Sequence, residues 1–158
     1  MKNNEKTPIF NGFKKLRLMM SGSAALAPEI HKKWEALTGQ KILERYGMTE
    51  VGMALSNKID GERRPGAVGE PLPNVEIKLE DENGKEITKE GGIGQILIKG
   101  PQVFKEYQNL PEKTNESFKD GWFLTGDVAV MEDGYYRLLG RDSIDIIKSG
   151  GYKISALE

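Results

Sequence analysis

Cysteine is absent from all 158 residues, which excludes a disulfide framework and thiol chemistry and suits a reducing compartment. No apolar run approaches the ~18 residues that a membrane-spanning helix needs. Neither sign of charge dominates: 23 Lys and Arg against 24 Asp and Glu leave a net charge of −1. A balance this even gives no electrostatic reason to expect a nucleic-acid partner or an anionic membrane surface. The stretch from Met1 to Lys15 is polar. It has neither the apolar core of a signal peptide nor the arginines of a typical transit peptide. What the chain has in excess is glycine, 19 residues against a usual share of about 7%. Most of these glycines stand between short apolar runs, as tight connections in a β-rich region require.

The length corresponds to about one domain, large enough to bury roughly two-thirds of its unfolded surface. Lys15 to Met20 reads as a buried strand. Pro28 opens a helix in which Ile30, Trp34 and Leu37 recur on one face, and Gly39 closes it. Lys41 to Tyr46 returns as a second strand. Such a strand–helix–strand unit presents its loops at the sheet edge where open α/β sheets bind ligands. Beyond Asn57 the texture changes. Val75 to Leu79 alternates with period two, Asn83-Gly84 marks a turn, and Gly94 to Lys99 is a further strand. Pro111 to Phe118 fits one short helix. Trp122 to Thr125, Val128 to Glu132 and Tyr135 to Leu139 read as strands, the last two joined at Asp133-Gly134. Short strands at about ten-residue spacing predict a barrel or sandwich. The expected fold is therefore α/β plus β, with an α/β unit over residues 1–72 and a distorted β-barrel over 73–140. Two prolines near Glu70 to Pro73 mark the boundary.

Glu44-Arg45-Tyr46-Gly47-Met48-Thr49-Glu50 places a ring, a hydroxyl and a carboxylate at a strand's carboxyl end. The Tyr46 ring can cover a base, the Thr49 hydroxyl can reach a phosphate, and the Glu50 carboxylate can hold Mg²⁺. The plainer alternative is a half-buried Tyr, with Thr49 and Glu50 starting a short helix. In Ser21-Gly22-Ser23-Ala24-Ala25 small residues let a flat ring lie against backbone, although an ordinary strand-to-helix turn has the same composition. Asp127, after Thr125-Gly126, can accept hydrogen bonds from both hydroxyls of a ribose, or it is simply a turn residue.

In this order, together with Gly140-Arg141 and Ile147-Lys148-Ser149-Gly150-Gly151-Tyr152-Lys153-Ile154, these runs resemble the adenylate-forming enzymes: acyl-CoA synthetases, luciferases and the adenylation domains of peptide synthetases. The resemblance extends from about Leu16 to the last residue. It implies adenine packing on Gly22, Ser23 and Ala24, and nucleotide contact along Tyr46, Gly47 and Met48. It also implies phosphate contact and catalysis at Thr49, and catalysis with Mg²⁺ ligation at Glu50. Ribose would be held by Asp127 with Arg141 as its partner. Residues 141–158 would be the hinge and start of a small rotating domain. There the chain is one residue longer between Arg141 and Ile147-Lys148 than the commonest spacing.

The resemblance is nearest to the malonyl-CoA synthetases, in which the run Leu43-Glu-Arg-Tyr-Gly-Met-Thr-Glu50 carries an Arg where monocarboxylate-activating relatives often have Gly. Arg45 would then bind the second carboxylate of malonate or methylmalonate through its guanidinium fork; the alternative is a surface Arg paired with Glu44. The implied reaction joins a carboxylate to ATP, releases pyrophosphate, and passes the acyl group to coenzyme A. The other expectations are a medium-chain, aryl or amino-acid-activating relative, or a non-catalytic nucleotide-binding module. The phosphate loop of such enzymes and their near-terminal lysine are not among these residues, so the chain reads as a piece of a longer enzyme. The cytoplasm or the mitochondrial matrix is the expected compartment.

Overall fold

A computed structural model describes residues 12–142, 145–149 and 152–155, with the strands beyond 145 described by their backbone alone. Strand β1 (Met20–Ser21) runs parallel to β2 (Leu43–Met48), and helix α1 (Pro28–Thr38) connects them. Pro28 stands in the first turn of α1, where a missing N–H costs nothing. Gly39 ends the helix at φ 75°, donating its N–H to the Glu35 carbonyl. β1 is much shorter than Lys15 to Met20 predicts. Within the described residues only β2 flanks it, and Met20 is half exposed. A run apolar on both faces forms its full ladder only when covered on both sides.

The helix also differs from expectation in the face it buries. His31 and Thr38 are buried, whereas Ile30 and Leu37 lie in the open. Trp34 packs edge-to-face on Phe13 with ring centroids 5.1 Å apart. The polar face turns inward because Glu44 on β2 is buried and takes its hydrogen bond from His31.

After β2 the chain reverses into β3 (Gly52–Ser56), which pairs antiparallel with β2 and then with β4 (Glu70–Pro71). No helix follows Thr49 and Glu50. They form the tip of a hairpin whose return strand opens at Gly52, which adopts φ 59° opposite Met48. The prolines expected to interrupt regular structure are thus partly accommodated, with Pro71 at a sheet edge where its missing N–H breaks no ladder.

The second sheet is antiparallel and curls into a half-barrel. It contains β5 (Glu76–Glu80), β6 (Glu86–Ile87), β7 (Ile93–Lys99), β8 (Phe118–Lys119), β9 (Trp122–Glu132) and β10 (Tyr135–Arg141). Helix α2 (Pro111–Glu116) lies before β8. The strands run in the order β10-β9-β7-β5-β6, with β8 on β9. Asp133 and Gly134, at φ 50° and 79°, make the tight turn between β9 and β10. β9 is continuous where two strands with a bend at Gly126 were expected. Gly126, at φ 76°, is absorbed in an irregularity where residues 125–127 stand opposite Ile96, and the two extra residues kink the strand without ending it. β11 (Ile146–Ser149) and β12 (Tyr152–Ser155) form a separate hairpin.

One core joins the two large sheets. Val51, Ala54 and Leu55 pack with Leu79, Ile96, Ile98 and Phe123, each large side chain contributing about 1.5–3 kcal/mol by burial. Backbone hydrogen bonds from Val68 to Tyr136 and from Tyr136 to Gly69 stitch the sheets at their border. Tyr46 belongs to this core, which places its hydroxyl against β9.

Candidate functional site

The β2–β3 hairpin meets the kink of β9 at the border between the sheets, and the loop after β1 lies against Arg45 on β2. Asp127 lies at the centre. Its Oδ2 accepts a hydrogen bond from the Tyr46 hydroxyl at 2.6 Å, and its Oδ1 pairs with the Arg141 Nε at 3.2 Å across the β9–β10 ladder. Its backbone N–H donates to the Thr125 hydroxyl, which donates to the Ile96 carbonyl. A carboxylate has about four acceptor positions, so Asp127 keeps capacity for two further hydroxyl donors. It is not a turn residue, as one reading of the sequence had it, but sits within a long strand.

Tyr46 is buried at 6% exposure, which leaves little ring surface for a base to cover. Its contribution in this geometry is to hold Asp127. Burial first, and then the neighbouring Asp127 carboxylate, pushes its phenol far above the ordinary range, so the group remains a hydrogen-bond donor throughout the physiological range.

Asp127→Ala should therefore act in two ways. If Asp127 holds the ribose, as the resemblance implies, the change should raise the KM for ATP about tenfold to a hundredfold, since hydrogen bonds to a charged group contribute roughly 1.5–3 kcal/mol. It should also lower the melting temperature, because the buried Tyr46 hydroxyl loses its acceptor. Steady-state kinetics and calorimetry on the full-length protein measure the two effects; an unchanged ATP KM would remove Asp127 from the nucleotide site.

At the hairpin tip, Gly47 faces Gly52 so closely that a Cβ built there would lie 2.1 Å from the Gly52 carbonyl oxygen; only glycine permits this approach. Met48 stands beside the Tyr46 hydroxyl, with its sulfur at 3.8 Å. Thr49 is exposed, and its hydroxyl has no partner among the described residues. Glu50 accepts a hydrogen bond from the Tyr107 hydroxyl at 2.9 Å, and its carbonyl accepts from the Phe104 N–H at 2.7 Å. Tyr107 is a residue that sequence reasoning missed. It lies 57 residues away in a run with no periodic signal.

The aromatic packing of Phe104 on Tyr107 and Phe118 and the Thr114 hydroxyl on the Tyr107 N–H fix this tether. Burial, followed by Glu50, raises the Tyr107 phenol above its usual range. The described residues contain no cluster of three or more metal-binding side chains. A lone, oriented carboxylate is nonetheless what Mg²⁺ takes when substrate phosphates and water complete its shell. Tyr107→Phe keeps the ring packing and removes the tether. If Glu50 holds Mg²⁺, as the resemblance implies, the Mg²⁺ concentration for half-maximal activity should rise about tenfold or more, the usual effect of losing a group that orients a metal ligand. A Mg²⁺ titration at fixed ATP decides this, and an unchanged requirement would make Tyr107 purely structural.

The loop after β1 is open. Ser23 and Ala24 are exposed, Gly22 half-buried, and Ser23 adopts φ 68°, a left-handed conformation rare for a non-glycine residue.

Arg45 is half-buried on β2 beside Gly22: a Cβ built at Gly22 would fall 2.7 Å from its Cζ and Nε. The alternative of a surface Arg45–Glu44 pair does not hold. Neighbours on a strand point to opposite faces, and Glu44 turns inward. There its Oε1 accepts from His31 Nδ1 at 2.8 Å and from the Gly66 N–H at 2.9 Å. Burial raises the Glu44 carboxyl above its ordinary value against the pull of these partners. Arg45 itself has no ion pair among the described residues.

At the far end of the site, the Arg141 N–H donates to the Asp145 carboxylate at 2.9 Å and the Asp142 N–H to the Gly126 carbonyl at 3.1 Å. The side chains of Lys148 and Lys153 lie outside the described residues.

These residues give the hairpin a carboxylate held by Tyr46 and Arg141 at Asp127, a second one tethered by Tyr107 at Glu50, and Arg45 beside the small-residue loop. The family model for AMP-binding enzymes matches residues 2–108, and the chain belongs to that family. It is 58% identical over 148 residues to a malonate–CoA ligase of Arabidopsis thaliana, covering 92% of this chain and 24% of that protein. With the mitochondrial malonate–CoA ligase ACSF3 of Homo sapiens the identity is 48% over 165 residues, 91% of this chain and 29% of that one. The chain thus spans about a quarter of the length of the curated relatives it matches. Among solved structures, ATP-bound MatB from Rhodopseudomonas palustris superposes with a TM-score of 0.87 at 45% identity, covering 96% of this chain and 31% of that chain. A malonyl-CoA ligase product complex with methylmalonyl-CoA and AMP gives 0.79 at 45% identity, covering 93% and 32%.

Proposed function

We propose that these residues form the nucleotide-binding seam and part of the acyl pocket of an ATP-dependent, AMP-forming acid–thiol ligase acting on malonate or methylmalonate. The observation that carries this reading is Arg45, a half-buried guanidinium without an ion-pair partner among the described residues, beside the small-residue loop that would meet the nucleotide. A cation held this way suits a carboxylate that arrives with the substrate. Relatives described as malonate–CoA ligases support the same substrate class.

In the first reaction a substrate carboxylate oxygen attacks the α-phosphorus of ATP and pyrophosphate leaves. In the second the coenzyme A sulfur attacks the acyl carbon and AMP leaves. In this reading Asp127 accepts the ribose hydroxyls, and Tyr46 and Arg141 hold Asp127 in place. Gly22, Ser23 and Ala24 line the adenine side, with Gly47 and Met48 along the same run. Thr49 donates to a phosphate oxygen, and Glu50, oriented by Tyr107, would hold Mg²⁺. When bound, that ion neutralises charge on the phosphates. Arg45 binds the distal carboxylate and so turns the reacting one toward the nucleotide. The segment after Gly140 is the hinge. A mitochondrial matrix location is consistent with the mitochondrial relatives.

Acid-dependent exchange of pyrophosphate into ATP by the full-length protein tests the proposal. Malonate and methylmalonate should support exchange well above butyrate, benzoate or amino acids. Exchange led by one of these other acids would refute the substrate assignment, and no exchange with any acid would refute the ligase reading.

A further inference from the structure

We infer that Gly22 determines specificity: the space left by its missing Cβ seats the Arg45 guanidinium, and that seat sets the preference for a second carboxylate. The inference rests on the proposed role of Arg45 and assigns to Gly22 a task separate from adenine packing.

The register supplies the first argument. β1 and β2 run parallel with Ser21 opposite Glu44, so Gly22 is the next neighbour of Arg45 along the pair. On the other side Arg45 is paired with Ser56 of β3. A large side chain thus lies between two small neighbours, a glycine and a serine.

The second argument is the fit. A Cβ on Gly22 would stand 2.7 Å from Arg45 Cζ and Nε and 2.8 Å from Nη1, far inside van der Waals contact. Three atoms of the guanidinium occupy the place where a methyl would be. No ion pair within the described residues holds that group, so packing against Gly22 decides where the fork sits.

The third argument concerns what would give way. Gly22 is not in the left-handed region, so its backbone admits alanine without strain. The atoms an added methyl would meet are the far end of a flexible side chain, not backbone. Alanine should therefore displace the guanidinium and leave the fold intact. A bidentate clamp tolerates little displacement; a misplacement of about 1 Å can cost on the order of a hundredfold.

The test uses the full-length enzyme as Gly22→Ala, Arg45→Gly and the double variant. It measures kcat/KM for malonate and butyrate and, separately, KM for ATP. The expected result is that Gly22→Ala lowers the malonate-to-butyrate ratio about tenfold to a hundredfold. In the Arg45→Gly background, which has already lost selectivity, the same change should leave the ratio where it stands. The inference is overturned if Gly22→Ala leaves the ratio within about twofold while Arg45→Gly collapses it, and the proposed role of Arg45 survives that outcome. It is also overturned if both acids lose equally with a raised KM for ATP, which assigns Gly22 to adenine alone. A Gly22→Ala protein that does not fold counts against it too, because the clash is with a movable group. If Arg45→Gly itself leaves selectivity unchanged, the underlying substrate reading falls first and this inference falls with it.

Discussion

Replacing Arg45 with glycine in the full-length enzyme should depress kcat/KM for malonate by about 30-fold to several thousand-fold while butyrate changes little. The range follows from the roughly 2–5 kcal/mol lost when one partner of a buried charge pair is truncated. Arg45 is half-buried beside Gly22, and Glu44 is turned away from it toward His31, so a bound carboxylate would be its main counter-charge. Arg45→Lys should recover only part of the loss, because an ammonium restores charge without the two-pronged geometry. An exposed ion pair would contribute only about 0–1 kcal/mol, and near-equal kinetics for all acids would be its signature. Equal losses on malonate and butyrate would instead place Arg45 in general nucleotide chemistry.

His31→Ala should destabilise the fold by about 3–5 kcal/mol, the usual cost of breaking a buried pair from one side. Both members are closed off from solvent, with His31 at 0% exposure. The same patch is knitted further by Asn57, whose side-chain amide donates to the Glu44 and Ala67 carbonyls. Urea unfolding of the full-length protein measures the effect.

The loss should depend on pH. Burial raises the Glu44 carboxyl above its ordinary value near 4.5, so the folded state holds that proton more tightly than the unfolded chain. As pH rises above about 4.5, this group withdraws stability. The imidazole hydrogen bond limits the withdrawal, so the gap between variant and parent should widen from acid toward neutral pH. Changing both residues to leucine should cost less than His31→Ala alone, since a matched apolar pair leaves no stranded charge. A loss under 1 kcal/mol, or a gap that narrows with pH, would mean that the pair is not what holds α1 to β2.

Local chemistry made much of this readable in advance. Pro28 and Gly39 bracket α1 because one lacks the N–H that a first turn does not need and the other adopts the φ that a last turn does. Asp133-Gly134 announces its turn for similar reasons. The family-like runs single out Tyr46, Asp127 and Arg141 together, and Asp127 is hydrogen-bonded to both of the others.

What escaped depends on partners distant in sequence. Nothing near Tyr107 marks it as the group that orients Glu50. Nothing in the helical spacing says that α1 will bury His31 and leave Ile30 and Leu37 outside, because that choice is made by a carboxylate on another element. Gly126 reads as a break because an isolated glycine does not reveal whether the partner strand continues past it. The Glu44–Arg45 alternative could have been set aside from the alternation of a strand alone.

The two tethers of the β2–β3 hairpin span long stretches of chain: Tyr46 to Asp127 closes 81 residues, and Glu50 to Tyr107 closes 57. Closure entropy grows with the logarithm of such lengths, and pairings this distant form late in folding. A nascent chain that has emerged only as far as β7 would hold the hairpin without either tether. Competence to bind nucleotide should therefore arise late, when β9 docks, and should be among the first properties lost when the half-barrel loosens.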